Sequence, residues 1–412
     1  MKNKSENVKK KISVYWKMIL CITGLTVIMI IFSLFPHFCD WYADSVYPHL
    51  CDGISRLTSG IPFALGEIMM YLGALMLLFS VVFLPLLLIL RKKARWRKFC
   101  SIYYKSFLML LVCIVCIYIP TWLIPFCGTV LGEGDAQKRT EFSYEEISLL
   151  MQYIIDGGNA AAEEIEILSD GTVDFLSETE SQQHIAEAMQ KLTGEYPRLA
   201  GYYPRVKPAF CSDILERMGI WGYTYPFTME LTHNKYVSPM DMPVLKAHEL
   251  AHHKGYYKEN EACFLSQIAL NESDDPFLRL SGFQEMFWYI YDDYADAQND
   301  VLEQLIRSGK IDLHVPLETE EDVQKYFQIC EELFGEEPDF SERAHQIMHS
   351  AYKIETEIYE TDAHPIEDIP QAENVITSVS GKGWEIQSEI LQENSYEGCV
   401  LLILQYYDGK LY

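Results

Sequence analysis

Five consecutive residues, His248-Glu249-Leu250-Ala251-His252, carry the strongest chemical signal in the chain. On a helix the two histidines stand at i and i+4, so their imidazoles share one face and can bind a single Zn²⁺. Glu249 on the same helix then lies beside the metal, where it can take a proton from water. Pro243 suits a first helical turn and Gly255 a helix stop, so the motif is expected on one helix of about three turns. The bland alternative is a pair of surface histidines on an ordinary helix. Upstream, Gly222–Thr232 is dominated by aromatic and β-branched residues and contains Pro226, which points to an edge strand. Such a strand can hold an extended peptide by adding it to a sheet, so Gly222, Tyr223, Thr224 and Tyr225 are candidate substrate-binding residues.

Catalytic zinc usually has three protein ligands and one open position. The turn at Gly255 leads to Glu259-Asn260-Glu261-Ala262-Cys263, and the apolar periodicity from Ala262 to Leu270 makes a second helix that can lie antiparallel to the first. Either Glu259 or Glu261 could reach the metal. A metzincin-like third ligand fails, because Lys258 stands at the required position. His345-Gln-Ile-Met-His349 repeats the histidine spacing without the glutamate and reads as a solvated helix face. Tyr289, Tyr291, Tyr294 and Tyr396 could donate a proton to a tetrahedral intermediate, although aromatic residues at such spacing are more often core. The 11 cysteines form no dense framework and no zinc-finger pair after the apolar region; Cys39 and Cys51 share one loop and could pair.

The stretches Gly222–Glu230, Ala247–Gly255, Glu259–Ala262 and Ser395-Tyr396 resemble a family of bacterial membrane proteins of unknown function, with three N-terminal spans and an external domain bearing the histidine motif. That resemblance covers nearly the whole chain and implies a gluzincin-like metallopeptidase. More distantly, Glu259-x-x-Ala262 is similar to the E-x-x-A-D/N element of HtpX-type and ImmA/IrrE-type metallopeptidases, which implies that Glu259 binds zinc. Cys263 departs from that element, standing where those families place the Asp or Asn that orients a ligand.

The elements around the motif are mainly helical. Ser143-x-x-Glu146 looks like a capping box opening a helix to about Gly157, and Ala160–Leu168 and Gln182–Thr193 read as further helices. Tyr202–Phe210 is expected to be extended, Ser212–Met218 a short helix stopped by Gly219, and the chain beyond Pro243 mostly helical, with a solvated Asp339–Pro370 stretch.

Charge divides the chain. The total is -26, yet the residues from Gly128 onward hold 54 acidic and 19 basic side chains. Such an acidic chain is a poor ligand for nucleic acid. Met18–Phe35, Ile68–Leu90 and Ser106–Gly132 run for 18, 23 and 27 residues without Asp, Glu, Lys or Arg, against the roughly 20 needed to cross a bilayer as a helix. Lys2, Lys4, Lys9, Lys10, Lys11 and Lys17 precede the first run, and Arg91, Lys92, Lys93, Arg95, Arg97, Lys98 and Lys105 separate the second from the third. Only Arg56 lies between the first and second, so the N-terminus and the second connection are expected in the cytoplasm and everything after about Glu133 outside it.

The fold expected is mostly α with a small β element. Residues 1–132 form a membrane region with spans near 18–35, 68–90 and 106–127, and residues 133–412 form an extracytoplasmic α+β gluzincin-like metallopeptidase domain. The function expected is a multi-pass membrane zinc metalloendopeptidase acting on a peptide or protein, with Glu249 as general base. The other class is a non-catalytic membrane-anchored sensor or scaffold with a structural or degenerate metal site. A transporter is disfavoured, because no charged residue interrupts any span.

Overall fold

The computed structural model describes residues 13–90, 92–132, 138–313, 320–361 and 395–412. Lys2, Lys4, Lys9, Lys10, Lys11, Arg91, Glu133, the 362–370 part of the solvated stretch and the side chain of Tyr396 lie outside the described residues. The chain divides into two units, Met1–Thr129 with Tyr225–Glu230, and Val130–Thr224 with Leu231–Tyr412.

The first unit holds α1 (Val14–Ser33), α2 (Pro36–Ser45), α3 (Tyr47–Thr58), α4 (Leu65–Ile89) and α5 (Ala94–Tyr118). A wide helical turn at Ile119–Leu123 carries α5 into the short α6 (Ile124–Phe126). Three helical stretches, of 20, 25 and 33 residues, are long and apolar enough to cross a membrane. Their side chains face outward: Leu78 is 58% and Leu88 69% exposed. In water such a surface would be ruinous, whereas in hydrocarbon it is the surface that meets the solvent. By length and composition this is a membrane protein. The third stretch starts at Ala94, not at Ser106, because the helix takes in Arg95, Arg97, Lys98 and Lys105 before its apolar part begins. The loop expected between the first two spans is itself helical, as α2 and α3, and Cys39 and Cys51 do not form the disulfide that could have joined them. Within this unit residues 225–230 form a turn: Thr58 donates to the Thr228 carbonyl at 3.1 Å and the Gly66 N–H to Glu230 Oε2 at 2.9 Å.

The second unit opens with α7 (Tyr144–Glu164), whose capping box between Ser143 and Glu146 forms as expected. The helix does not stop at Gly157, and of the separate helix expected at 160–168 only the part up to Glu164 is helical, as its last turn; Ile165 is already extended. Gly157 and Gly158 serve close packing: a Cβ on either would run into the ring of Phe283 or Phe340. Next come α8 (Glu178–Lys191), capped by Ser177 and Glu180, and α9 (Ser212–Arg217), stopped by Gly219 at φ +65°. Three short strands form one sheet in the order β1-β3-β2: β1 (Val206–Pro208), β2 (Gly222–Tyr225) and β3 (Glu230–His233). The single strand expected over Gly222–Thr232 is thus two. Pro226 cannot continue a ladder and Met229 takes a left-handed φ of +50°, so the chain turns between them. β2 stands at one edge, whereas β3 is central and wholly buried, running parallel to β1 with Leu231 opposite Val206. Of the extended Tyr202–Phe210, only β1 is strand.

The remainder is α10 (Met242–His253), α11 (Glu259–Asn271), α12 (Pro276–Arg307), α13 (Glu320–Phe334), α14 (Glu342–Thr361) and α15 (Ser395–Tyr407). Leu150, Ile154, Leu250, Leu265, Phe283, Met286 and Ile403 belong to one continuous apolar core. The architecture is therefore mostly helical, with a small three-stranded sheet and three candidate membrane helices at the N-terminal end.

Gly157→Val forces an isopropyl group into the Phe283 ring and is expected to lower the unfolding free energy by about 1–3 kcal/mol. Gly194→Ala, where a Cβ meets open space, should change it by less than about 0.5 kcal/mol. Denaturant titration of both variants in detergent checks the pair, and equal effects would mean that α7 and α12 do not pack as described.

Candidate metal centre

The motif helix is held at both ends. Pro243 sits in the first turn of α10, and Ser281 of α12 donates to the Met240 carbonyl just before it at 2.7 Å. At the far end the Lys254 ammonium donates to the carbonyls of Ala200 and Tyr202, at 2.9 and 2.6 Å. Gly255 takes φ +89°, a conformation that costs glycine little, and the chain reverses there so that α11 begins at Glu259.

This reversal brings Glu259 to the two histidines. Glu259 Oε2 lies 3.1 Å from His248 Nε2, and Oε1 lies 3.6 Å from His252 Nε2. One ligand atom from each of the three residues falls within 4.8 Å of the others. The imidazole rings stand edge to face, with centroids 4.5 Å apart. Each histidine has a protein partner on its other nitrogen. His252 Nδ1 is 2.9 Å from the Tyr256 carbonyl, which fixes the tautomer by accepting the Nδ1 proton and leaves Nε2 facing Glu259. His248 Nδ1 is 3.6 Å from Cys263 Sγ, to which Tyr289 donates its hydroxyl at 3.3 Å. Two imidazole nitrogens and one carboxylate oxygen, with both imidazoles oriented from behind, are a donor set that could hold Zn²⁺ with one position open.

Electrostatics follow from this packing. Burial pushes the Glu259 carboxyl up, but the two imidazoles beside it more than offset that and hold it well below the usual carboxylate range. Burial likewise lowers the imidazoles, yet Cys263 and Glu259 raise His248, and Glu259 raises His252, above the ordinary value. Glu249, only 3% exposed, is pushed up by burial, with His252, His248 and Thr224 pulling the other way.

Glu249 also meets the sheet. Thr224 on β2 donates to Glu249 Oε2 at 3.0 Å, and a Cβ on Gly222 would lie 2.9 Å from Oε1. Two of the edge-strand residues singled out by sequence are therefore beside the glutamate. Tyr223 points instead toward Cys211, and Tyr225 belongs to the other unit.

Glu261 does not join the cluster. Its carboxylate accepts the Leu131 N–H at 2.7 Å, and burial pushes it up to about 7. Tyr291 donates to Glu337, and Tyr294 pairs with Tyr144 and Gln298, whereas Tyr289 reaches His248 only through Cys263. His345 and His349 are exposed on α14, the former 2.8 Å from Asp339. Sequence reasoning missed the Tyr256 carbonyl, the Thr224 hydroxyl as a partner of Glu249, and Cys399 of α15, a buried thiol that Cys263 pushes up in pKa. Only the position of Cys263 in its element carried any signal for this network.

A family model described as a protein of unknown function (DUF3810) matches residues 42–340. The chain belongs to this family. No curated protein and no solved structure matches the chain. The DUF3810 match runs from α2 past the end of α13, and so includes α10, the Gly255 turn and α11.

In metal-free protein the Glu259 carboxyl sits below its ordinary 4.5, so its contribution to stability is present above that pH and lost as the pH falls. His252 sits above its ordinary 6.5, so its contribution is present below that pH and lost as the pH rises through the folded-state value. The stability difference between wild type and Glu259→Gln, measured by denaturant titration with chelator present, is expected to peak between pH 4.5 and 6.5. A pH-independent difference would mean that the carboxylate does not pair with the imidazoles.

Proposed function

We propose that this DUF3810 protein is a membrane-anchored zinc metallopeptidase. The observation that carries the proposal is the convergence of His248, His252 and Glu259, with Glu249 on the same helix and an edge strand beside it. Zn²⁺ held by those three residues would lower the pKa of water to about 7 and polarise a peptide carbonyl. Glu249 accepts a proton from the attacking water and delivers it to the leaving amine. Burial lifts its carboxyl toward the range in which one group can do both. The Thr224 hydroxyl holds Glu249 Oε2 in place. β2 offers its edge to an extended peptide, and the missing side chain of Gly222 lets its backbone pack closely against Glu249. Tyr256 and Cys263 orient the imidazoles, the latter as a thiol in place of the usual carboxylate or amide.

Glu249→Gln is expected to cut peptide hydrolysis by at least about 10²–10⁴-fold while Zn²⁺ stays bound, because the amide cannot take the proton and both histidines are intact. Unchanged turnover would sink the mechanism. A wild type that binds one Zn²⁺ and cleaves nothing would leave a structural site on a sensor or scaffold.

In a competitive chelator titration Glu259→Ala should release Zn²⁺ at concentrations that leave Glu261→Ala loaded, since Glu261 is turned to the Leu131 amide. The reverse order would make Glu261 the ligand.

The Lys and Arg distribution further supports a cytoplasmic N-terminus and 91–105 connection, with the chain after residue 133 outside. Protease added to intact cells should digest the region after 133; its protection, with the 91–105 segment accessible, would invert the topology.

A further inference from the structure

We propose that a cleft between α1, α4 and α5, at the basic end of the candidate spans, binds the head-group end of one anionic glycerophospholipid. The cleft has a volume of about 410 Å³, which lies within the range of sites that take small molecules. It is too small for a whole lipid, so the rest of the acyl chains would stay in the bilayer.

Two surfaces make up the wall. One is apolar: Trp16 of α1, Leu87 of α4 and Leu108 of α5. The other is a polar stripe of α5, where Arg97, Ser101 and Lys105 stand at i, i+4 and i+8 and so share one helix face along roughly 12 Å. Tyr15 of α1 closes the cleft against this stripe. Its hydroxyl donates to the Lys105 carbonyl at 2.9 Å, and its ring lies 5.6 Å from the Lys105 ammonium. No Asp or Glu is among the lining residues.

Hydrocarbon and lipid head groups are the solvent around these helices, so a lipid is what meets an apolar recess there. The charge decides which lipid. A guanidinium, a hydroxyl and an ammonium along one stripe match the oxygens of a phosphodiester, and Arg97 can donate to two of them at once. A zwitterionic head group would bring a cation of its own toward the two cations, Arg97 and Lys105, with no carboxylate among the lining residues to receive it. Basic pockets between membrane helices bind anionic head groups by this complementarity. The neighbouring Lys92, Lys93, Arg95 and Lys98 do not line the cleft, which separates a site from general attraction to a charged surface.

The test uses the full chain in a neutral detergent, with phosphatidylglycerol or phosphatidylcholine of identical acyl chains added. Thermal unfolding gives the stabilisation, and native mass spectrometry gives the number of lipids bound. Phosphatidylglycerol should raise the midpoint and saturate at one retained lipid per chain, and phosphatidylcholine at the same concentration should do neither. Arg97→Ala/Lys105→Ala should weaken the phosphatidylglycerol effect roughly tenfold or more, the scale set by two surface cations near an anionic lipid. Lys92→Ala/Lys98→Ala removes the same charge from outside the cleft and should leave the effect within about twofold. Equal stabilisation by both lipids would mean filling by shape alone and overturn the proposal. Equal weakening by both double variants would mean diffuse attraction and overturn it as well. Should the cleft double variant fail to fold, Ser101→Phe keeps both cations and fills the space; full phosphatidylglycerol stabilisation in that variant overturns the proposal too.

Discussion

Burying α10 and its C-cap Lys254, which together carry a glutamate, three histidines and two lysines, is tolerable only if the polar groups find partners, and the surroundings of α10 supply them. Lys246, Glu249, His252, His253 and Lys254 are each less than 9% exposed. Leaving one such group unpaired costs about 1–3 kcal/mol, and more when it is charged. Thr224 answers Glu249, the Tyr256 carbonyl answers His252, and two carbonyls before β1 answer Lys254. Glu259 answers both imidazoles together. The carboxylate that completes a potential metal site is thus also the group that balances two buried imidazoles when no metal is bound.

The same demand explains the rear of the cluster. His248 Nδ1 needs a neighbour, and Cys263 is that neighbour. Tyr289 donates to the sulfur, and the buried Cys399 thiol of α15 helps to hold its pKa down. A thiol is a softer and weaker acceptor than a carboxylate. Cys399, His248 and Tyr289 beside it hold the Cys263 thiol well below its ordinary range, so its sulfur joins Glu259 in raising His248.

The two units answer to different solvents. In the first, apolar side chains of α1, α4 and α5 point outward and the helices satisfy their own backbone. In the second, apolar side chains turn inward to one core. One helix bridges both regimes: α5 is basic over its first turns and apolar after them, which a backbone helix tolerates because its hydrogen bonds do not depend on the side chains.

What could be read from the sequence was local. The three apolar stretches, the Ser143–Glu146 cap, the Pro243 start and Gly255 stop of α10, and the shared face of His248 and His252 each depend on residues within a few positions of one another. Helix periodicity and capping act over that range, so they are written in the chain. The tertiary structure decided the rest. It chose Glu259 over Glu261 at the cluster, because α11 starts at Glu259 and the Leu131 amide draws Glu261 away. It carried α7 through two glycines that the sequence presents as a stop, because rings from α12 and the segment before α14 pack against them. It divided one apparent strand at Pro226 and brought Cys399 under the influence of Cys263. Each of these outcomes depends on a partner far along the chain, and burial and hydrogen bonding select that partner only once the whole core has formed.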